Sequence, residues 1–154
     1  MTPRLNPAAI APEVLKPLFA LEQSIKTSGL EHSLIHLVKI RASQINGCAY
    51  CIHMHTNEAR KDGESQARID LLAAWHESPL YSDRERAALA WTESLTNLAR
   101  TRAPDADYAL LDSQFDDAEK VKLTMAIVAI NAWNRIQISL RAIHPVAPPM
   151  TAAA

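Results

Sequence analysis

The sequence predicts an all-α single domain of about seven helices, on three observations. Apolar residues recur at three- and four-residue spacing over long windows. No run alternates with period two over strand length and then meets an Asn-Gly or Asp-Gly hairpin turn. The three glycines and nine prolines fall mostly at the ends of the chain or between the periodic segments, where helices stop. A chain of 154 residues is long enough to bury a real core as one domain, with the periodic part spanning about 13–143.

Taken in order, Ala11 to about Ser28 reads as a first helix with Leu15, Leu18, Phe19 and Ile25 on one stripe, ended by Gly29. Pro17 falls inside it and marks a later start as an alternative. Glu31 to Asn46 is a second, apolar at Leu34, Leu37, Val38 and Ile45 and stopped by Asn46-Gly47. Cys48 or Ala49 to Lys61 is a third, ended by Asp62-Gly63, and Ser65 to Trp75 a short fourth. Ser82 with Glu85 three residues later has capping-box spacing and opens a fifth, to about Arg100. Pro104-Asp105 introduces a sixth, to about Phe115. Asp116-Asp117 opens a long seventh with Val121, Met125, Val128, Ala132, Ile136 and Leu140 along one side. That helix is apolar around much of its circumference, the mark of a helix central to the core or to a subunit interface. A symmetric homo-oligomer is therefore expected. Residues 1–10 and 145–154 lack periodicity and read as extended or disordered arms, able to lie along a neighbouring subunit.

Charge excludes several partners. Sixteen Lys and Arg against seventeen Asp and Glu leave a net charge of −1, and the basic residues are scattered. No block of them suggests nucleic acid or an anionic membrane. The N-terminus has no apolar h-region and no stretch approaches ~18 uncharged apolar residues, so a soluble, cytoplasmic protein is expected.

The chemistry concentrates in Gly47-Cys48-Ala49-Tyr50-Cys51-Ile52-His53-Met54-His55, which holds both cysteines of the chain. Thiols three positions apart face one another across one helical turn and can close a disulfide, and a histidine at i+4 from Cys51 shares its face. In a chain without a signal peptide, C-x-x-C reads first as a redox pair and second as half a metal site. As a structural staple it is weak, because so small a loop gains little from closure. An unperturbed thiol of pKa ~8.5 is only a few per cent thiolate at pH 7. A helix N-terminus favours the anion, and lowering the pKa by ~2 units, worth ~2.7 kcal/mol, would make it mostly ionised. His55 then accepts or returns a proton at Cys51. If the second and third helices form an antiparallel hairpin, His36 lies nearest the level of His55 and Glu58, about 10 Å beyond Cys51 along the axis, as the outer member of a relay. The zinc alternative takes Cys48, Cys51, His55 and His36 as two sulfurs and two nitrogens, without a second C-x-x-C to complete the usual pattern. Glu85 reads as a cap that can also reach the site. Trp75, Trp91 and Trp133 read as core or interface anchors, and His53, His32, His76 and His144 as surface residues.

The stretch from Leu37 through Cys51, continuing by His55 and Ala59 to Gly63, resembles the AhpD-like alkylhydroperoxidases of the carboxymuconolactone decarboxylase superfamily. Arg84-Glu85-Arg86-Ala87, Trp91 and Leu95-Thr96 resemble that family's next block, and the likeness runs over about 13–143. It implies an all-helical fold assembling as a homotrimer or homohexamer. It implies reduction of a hydroperoxide by the two cysteines without a bound cofactor or metal, and regeneration by a dithiol such as dihydrolipoamide or a thioredoxin-like protein. The attacking cysteine of the family corresponds to Cys51, the resolving one to Cys48 and the proton-transferring histidine to His55. Two positions depart from the pattern. The family glutamate twelve residues before the first cysteine is His36 here, and the family histidine between the cysteines is Tyr50. His36 is read as standing in for that carboxylate, with Glu85, on another helix, as the alternative source of it. The reading is thus a thiol peroxidase; the alternative is a non-catalytic oligomeric module whose C-x-x-C senses redox state or holds zinc.

Overall fold

A computed structural model describes residues 2–145, and among them every regular element is a helix. The N-terminal segment is more ordered than expected. Asn6 caps a short helix α1 (Pro7–Ile10) by accepting from the Ala9 N–H, and Pro7 supplies its first position. Helix α2 (Pro12–Lys26) starts at Pro12 despite Pro17, which stays inside it. Arg4 ties the segment down, donating its backbone N–H to the Leu140 carbonyl at 2.9 Å and its guanidinium to the Ser139 carbonyl at 2.9 Å. The expected C-terminal arm beyond residue 145 lies outside the described residues.

Helices α3 (His32–Asn46) and α4 (Ala49–Lys61) form the expected antiparallel hairpin. Its turn follows from Gly47 at φ 72°, a left-handed conformation that costs other residues a steric clash. The Gly47 N–H reaches the Gln44 carbonyl at 3.2 Å and the Cys48 N–H the Ser43 carbonyl at 2.9 Å, a Schellman motif. The chain thereby reverses in two residues and delivers Cys48 as the N-cap of α4.

The expected fourth helix divides into α5 (Gln66–Leu71) and a 3₁₀ turn, Leu72–Ala74. The capping box at Ser82 opens α6 (Asp83–Thr96), but Asn97 breaks the expected fifth helix and a separate turn, α7 (Leu98–Thr101), follows. Helix α8 (Asp105–Asp112) is shorter than expected, and α9 (Asp117–Leu140) begins on a second capping box, Asp116 with Glu119. Arg84, at the start of α6, ties together the starts of α3 and α9 through Glu31 and Glu119, at 2.8 and 2.7 Å.

The core sits where α3, α6 and α9 meet, around Leu34, Val38, Ala88, Trp91, Leu123 and Ile127. Each fully buried Leu or Ile there contributes roughly 1.5–3 kcal/mol, which fixes α9 as the central strut. The buried stripe of α9 is Leu123, Ala126, Ile127, Ile130 and Asn134. The stripe singled out by periodicity faces outward instead: Val121 is 64% exposed and Val128 48%. No helix among the described residues is long and apolar enough to cross a membrane.

Candidate active site

The end of α3, from which the chain turns into α4, is locked to α9 by amides. Asn46 donates to Asn131 and Asn134 at 2.9 and 2.8 Å, and Asn134 donates to the Ser43 hydroxyl at 3.0 Å. Asn134 is fully buried, so losing one partner would leave an unpaired polar group at a cost of about 1–3 kcal/mol. The cysteine turn is thus held rigidly against the central helix.

Cys48 and Cys51 are joined as a disulfide, with Cα atoms 5.3 Å apart. Cys48 Sγ also accepts from the Cys51 N–H at 3.3 Å, so the cysteine itself caps the helix. Both are about 1% exposed and pack in one cluster with Ala42 and Ile130. Of the two, it is Cys51 that lines a cleft of about 1030 Å³ bounded by α2, α3, α4, the end of α9 and the N-terminal segment. The apolar wall beside Cys51 includes Tyr50, Met54, Phe19 and Trp133, the last two with ring centroids 5.0 Å apart. Trp133 was expected as a core or interface anchor; here it helps wall the cleft.

The rest of the cleft is charged. His55, one turn beyond Cys51 on the same face, is buried, and its Nδ1 lies 2.8 Å from Glu58 Oε2. If Nδ1–H donates to the carboxylate, Nε2 carries the lone pair free to take a proton. The His55 hydrogen bond, partly offset by burial, holds Glu58 below the ordinary carboxylate value, and the charges of Lys39 and His36 act in the same direction. Lys39 is paired with Glu22 across the cleft.

His36 does reach this cleft but not the cysteines. Its Nε2 lies 2.7 Å from Asp62 Oδ2, one turn beyond the expected level of His55 and Glu58. Helical side chains lean toward their own N-terminus, which carries the His36 ring away from the turn and toward the end of α4. The hydrogen bond from His36 holds Asp62 below its ordinary value. The set of two sulfurs and two nitrogens that a zinc site would need is therefore not brought together: among the described residues no three His, Cys, Asp or Glu side chains converge as a metal site would require.

Glu85 is a correction. It does not line the cleft. One carboxylate oxygen accepts from the Ser82 N–H at 2.8 Å, closing the capping box, and the other from Arg68. Burial raises its pKa, but Arg68 and the Ser82 N–H outweigh that and hold it low. The cleft carboxylate bonded to His55 is Glu58. Glu58 sits three residues past His55 and seven past Cys51, a spacing that places it on their stripe.

Several known proteins are similar. The carboxymuconolactone decarboxylase family matches residues 12–94. YdfG of Bacillus subtilis, uncharacterised, is 42% identical over 140 residues, 91% of this chain and 95% of its own. The crystal structure of an Agrobacterium tumefaciens protein of unknown function, described as a candidate antioxidant defence protein AhpD, is 49% identical. It superposes with a TM-score of 0.93 over 95% of this chain and all of its own. The debrominase Bmp8 shares the fold alone, at 17% identity and a TM-score of 0.77 over 87% of this chain and 72% of its own. With more than half its length matched by the family and a relative this similar along nearly all of it, the chain belongs to the carboxymuconolactone decarboxylase family, on its AhpD-like side.

Proposed function

We propose that this protein is a thiol-dependent peroxidase that reduces organic hydroperoxides through a Cys48/Cys51 dithiol–disulfide cycle. The observation that carries the reading is the asymmetry of the pair: Cys51 lines the cleft beside His55, while Cys48, bonded to it, is not in the cleft lining. In the reduced protein His55 takes the Cys51 proton, and the thiolate attacks the terminal peroxide oxygen. The O–O bond breaks, Cys51 becomes a sulfenic acid, and the departing alkoxide takes the proton from His55 and leaves as an alcohol. Cys48 then attacks the sulfenic sulfur, forming the disulfide and releasing water. An external dithiol, of the dihydrolipoamide or thioredoxin-like kind, returns the disulfide to two thiols and leaves as a disulfide itself. The apolar wall of Phe19, Trp133 and Met54 beside Cys51 suits an alkyl group on the peroxide.

Free-thiol counting on the reduced chain before and after one equivalent of cumene hydroperoxide, with metal analysis, tests the proposal. Loss of two thiols and release of one cumyl alcohol per chain is expected. Retention of both thiols with bound zinc would replace the peroxidase with a zinc module. The apolar outer stripe of α9 supports assembly of the cytoplasmic enzyme as a homotrimer or homohexamer. Light scattering is expected to give that mass at micromolar concentration; a stable monomer would remove this part of the proposal.

A further inference from the structure

Cys51, His55 and Glu58 advance along α4 by four and then three residues, so one face of one helix carries all three into the cleft. We propose that Glu58 is the positioning carboxylate of this site, fixing the His55 ring and stabilising the imidazolium formed when His55 takes the Cys51 proton. The inference rests on the peroxidase reading for the identity of the oxidant. The other carboxylates of the cleft are engaged elsewhere: Glu22 holds Lys39, and Asp62 holds His36. Glu58 alone among them is bonded to the histidine that follows Cys51, at 2.8 Å. The site is thereby assembled on a single helix rather than across two, and its geometry survives small shifts of α3 against α4.

The transfer moves a proton from Cys51 Sγ to the ring and leaves a thiolate and an imidazolium. Glu58 attracts the second and repels the first. Cys51 lies seven residues away, ~10.5 Å along the axis. Coulomb energy falls inversely with distance, so the attraction at 2.8 Å outweighs the repulsion nearly fourfold. The other charged groups and histidines of the cleft are Glu22 and Lys26 from α2, His32, His36 and Lys39 from α3, and Lys61 and Asp62 at the end of α4; Lys39 pairs with Glu22 and His36 with Asp62. From α9 come Trp133 and Gln137, which carry no charge. Glu58 itself is held below its ordinary value by His55, so it stays ionised wherever the thiol titrates.

The test is the pH dependence of Cys51 alkylation by iodoacetamide in the reduced Cys48→Ser chain, alone and with Glu58→Gln, Glu58→Asp or His36→Gln added, alongside peroxide consumption by the two-cysteine chain carrying the same changes. Glu58→Gln is expected to move the alkylation midpoint to higher pH and to slow both alkylation at pH 7 and peroxide consumption about tenfold. Glu58→Asp should recover part of each. The Glu58 side chain is 48% exposed, so the isosteric glutamine is expected to fold, with the melting curve as check. A Glu58→Gln profile that superimposes on its parent, or a shift produced by His36→Gln in its place, overturns the proposal. A parent chain that alkylates as expected but consumes no peroxide sinks the peroxidase reading and leaves the role of Glu58 on the thiol standing.

Discussion

Glu58 and Glu85 are the same residue type, each on a helix, each ion-paired and each held below the ordinary carboxylate value, yet their surroundings assign them opposite work. Glu85 is bonded to a backbone N–H and to Arg68, so its charge is spent closing a helix start and joining α5 to α6. Glu58 is bonded to one imidazole in the wall of the cleft, and its other side meets solvent. A carboxylate that neutralises a permanently charged guanidinium has no proton traffic to influence. One that faces a histidine does, because the histidine changes charge during the reaction.

The largest effect expected in the cleft is that of Cys51→Ser, which should abolish peroxide consumption, whereas Cys48→Ser should leave a sulfenic acid on Cys51. A sulfenic-acid probe read by mass spectrometry on both variants checks this. Labelling of Cys48 in the Cys51→Ser chain with turnover retained would reverse the roles. Next comes the tenfold loss expected of Glu58→Gln.

Glu85→Gln sharpens the contrast from the other side. It keeps an oxygen to accept from the Ser82 N–H but removes the charge facing Arg68, which retains only Glu64, and this should cost about 1–2 kcal/mol of stability while activity per folded chain persists. The sign with pH follows from the lowered value. The stabilisation is complete above the ordinary carboxylate value of 4.5 and is lost as pH falls through the depressed one, so Glu85→Gln should flatten that acid limb in urea melts. Equal melting of variant and wild type from pH 7 to pH 3 would contradict this. The smallest effect is expected of His36→Gln, roughly threefold in peroxide consumption, well under the ~10²-fold expected for a lost proton-transfer group. A loss from His36→Gln larger than that from Glu58→Gln would return the relay to α3.

Much of the site was legible because it is local. A glycine before a cysteine, a cysteine at the helix start and a histidine one turn past its partner are all fixed within nine consecutive residues, and a helix carries that spacing into geometry unaided. Glu58 was legible by the same rule, at i+3 from His55, although attention to the position of His36 pointed to another helix for the carboxylate. What the sequence determined by itself was therefore the helices, their caps at Ser82 and Asp116, the reversal at Gly47 and the alignment of Cys51 with His55 on one face of α4. Tertiary structure decided which face of each helix is buried. On α9 the stripes through Val121 and through Leu123 are both apolar, so periodicity alone could not choose; docking onto α3 and α6 buried the second. Docking also put Cys51 rather than Cys48 in the cleft lining, sent His36 to Asp62 and took Glu85 to Arg68. The physical reason is that spacing within a helix is set by backbone hydrogen bonds between near neighbours. The partner of an outward side chain depends instead on the angle and register at which two helices pack, which is settled by the whole core at once.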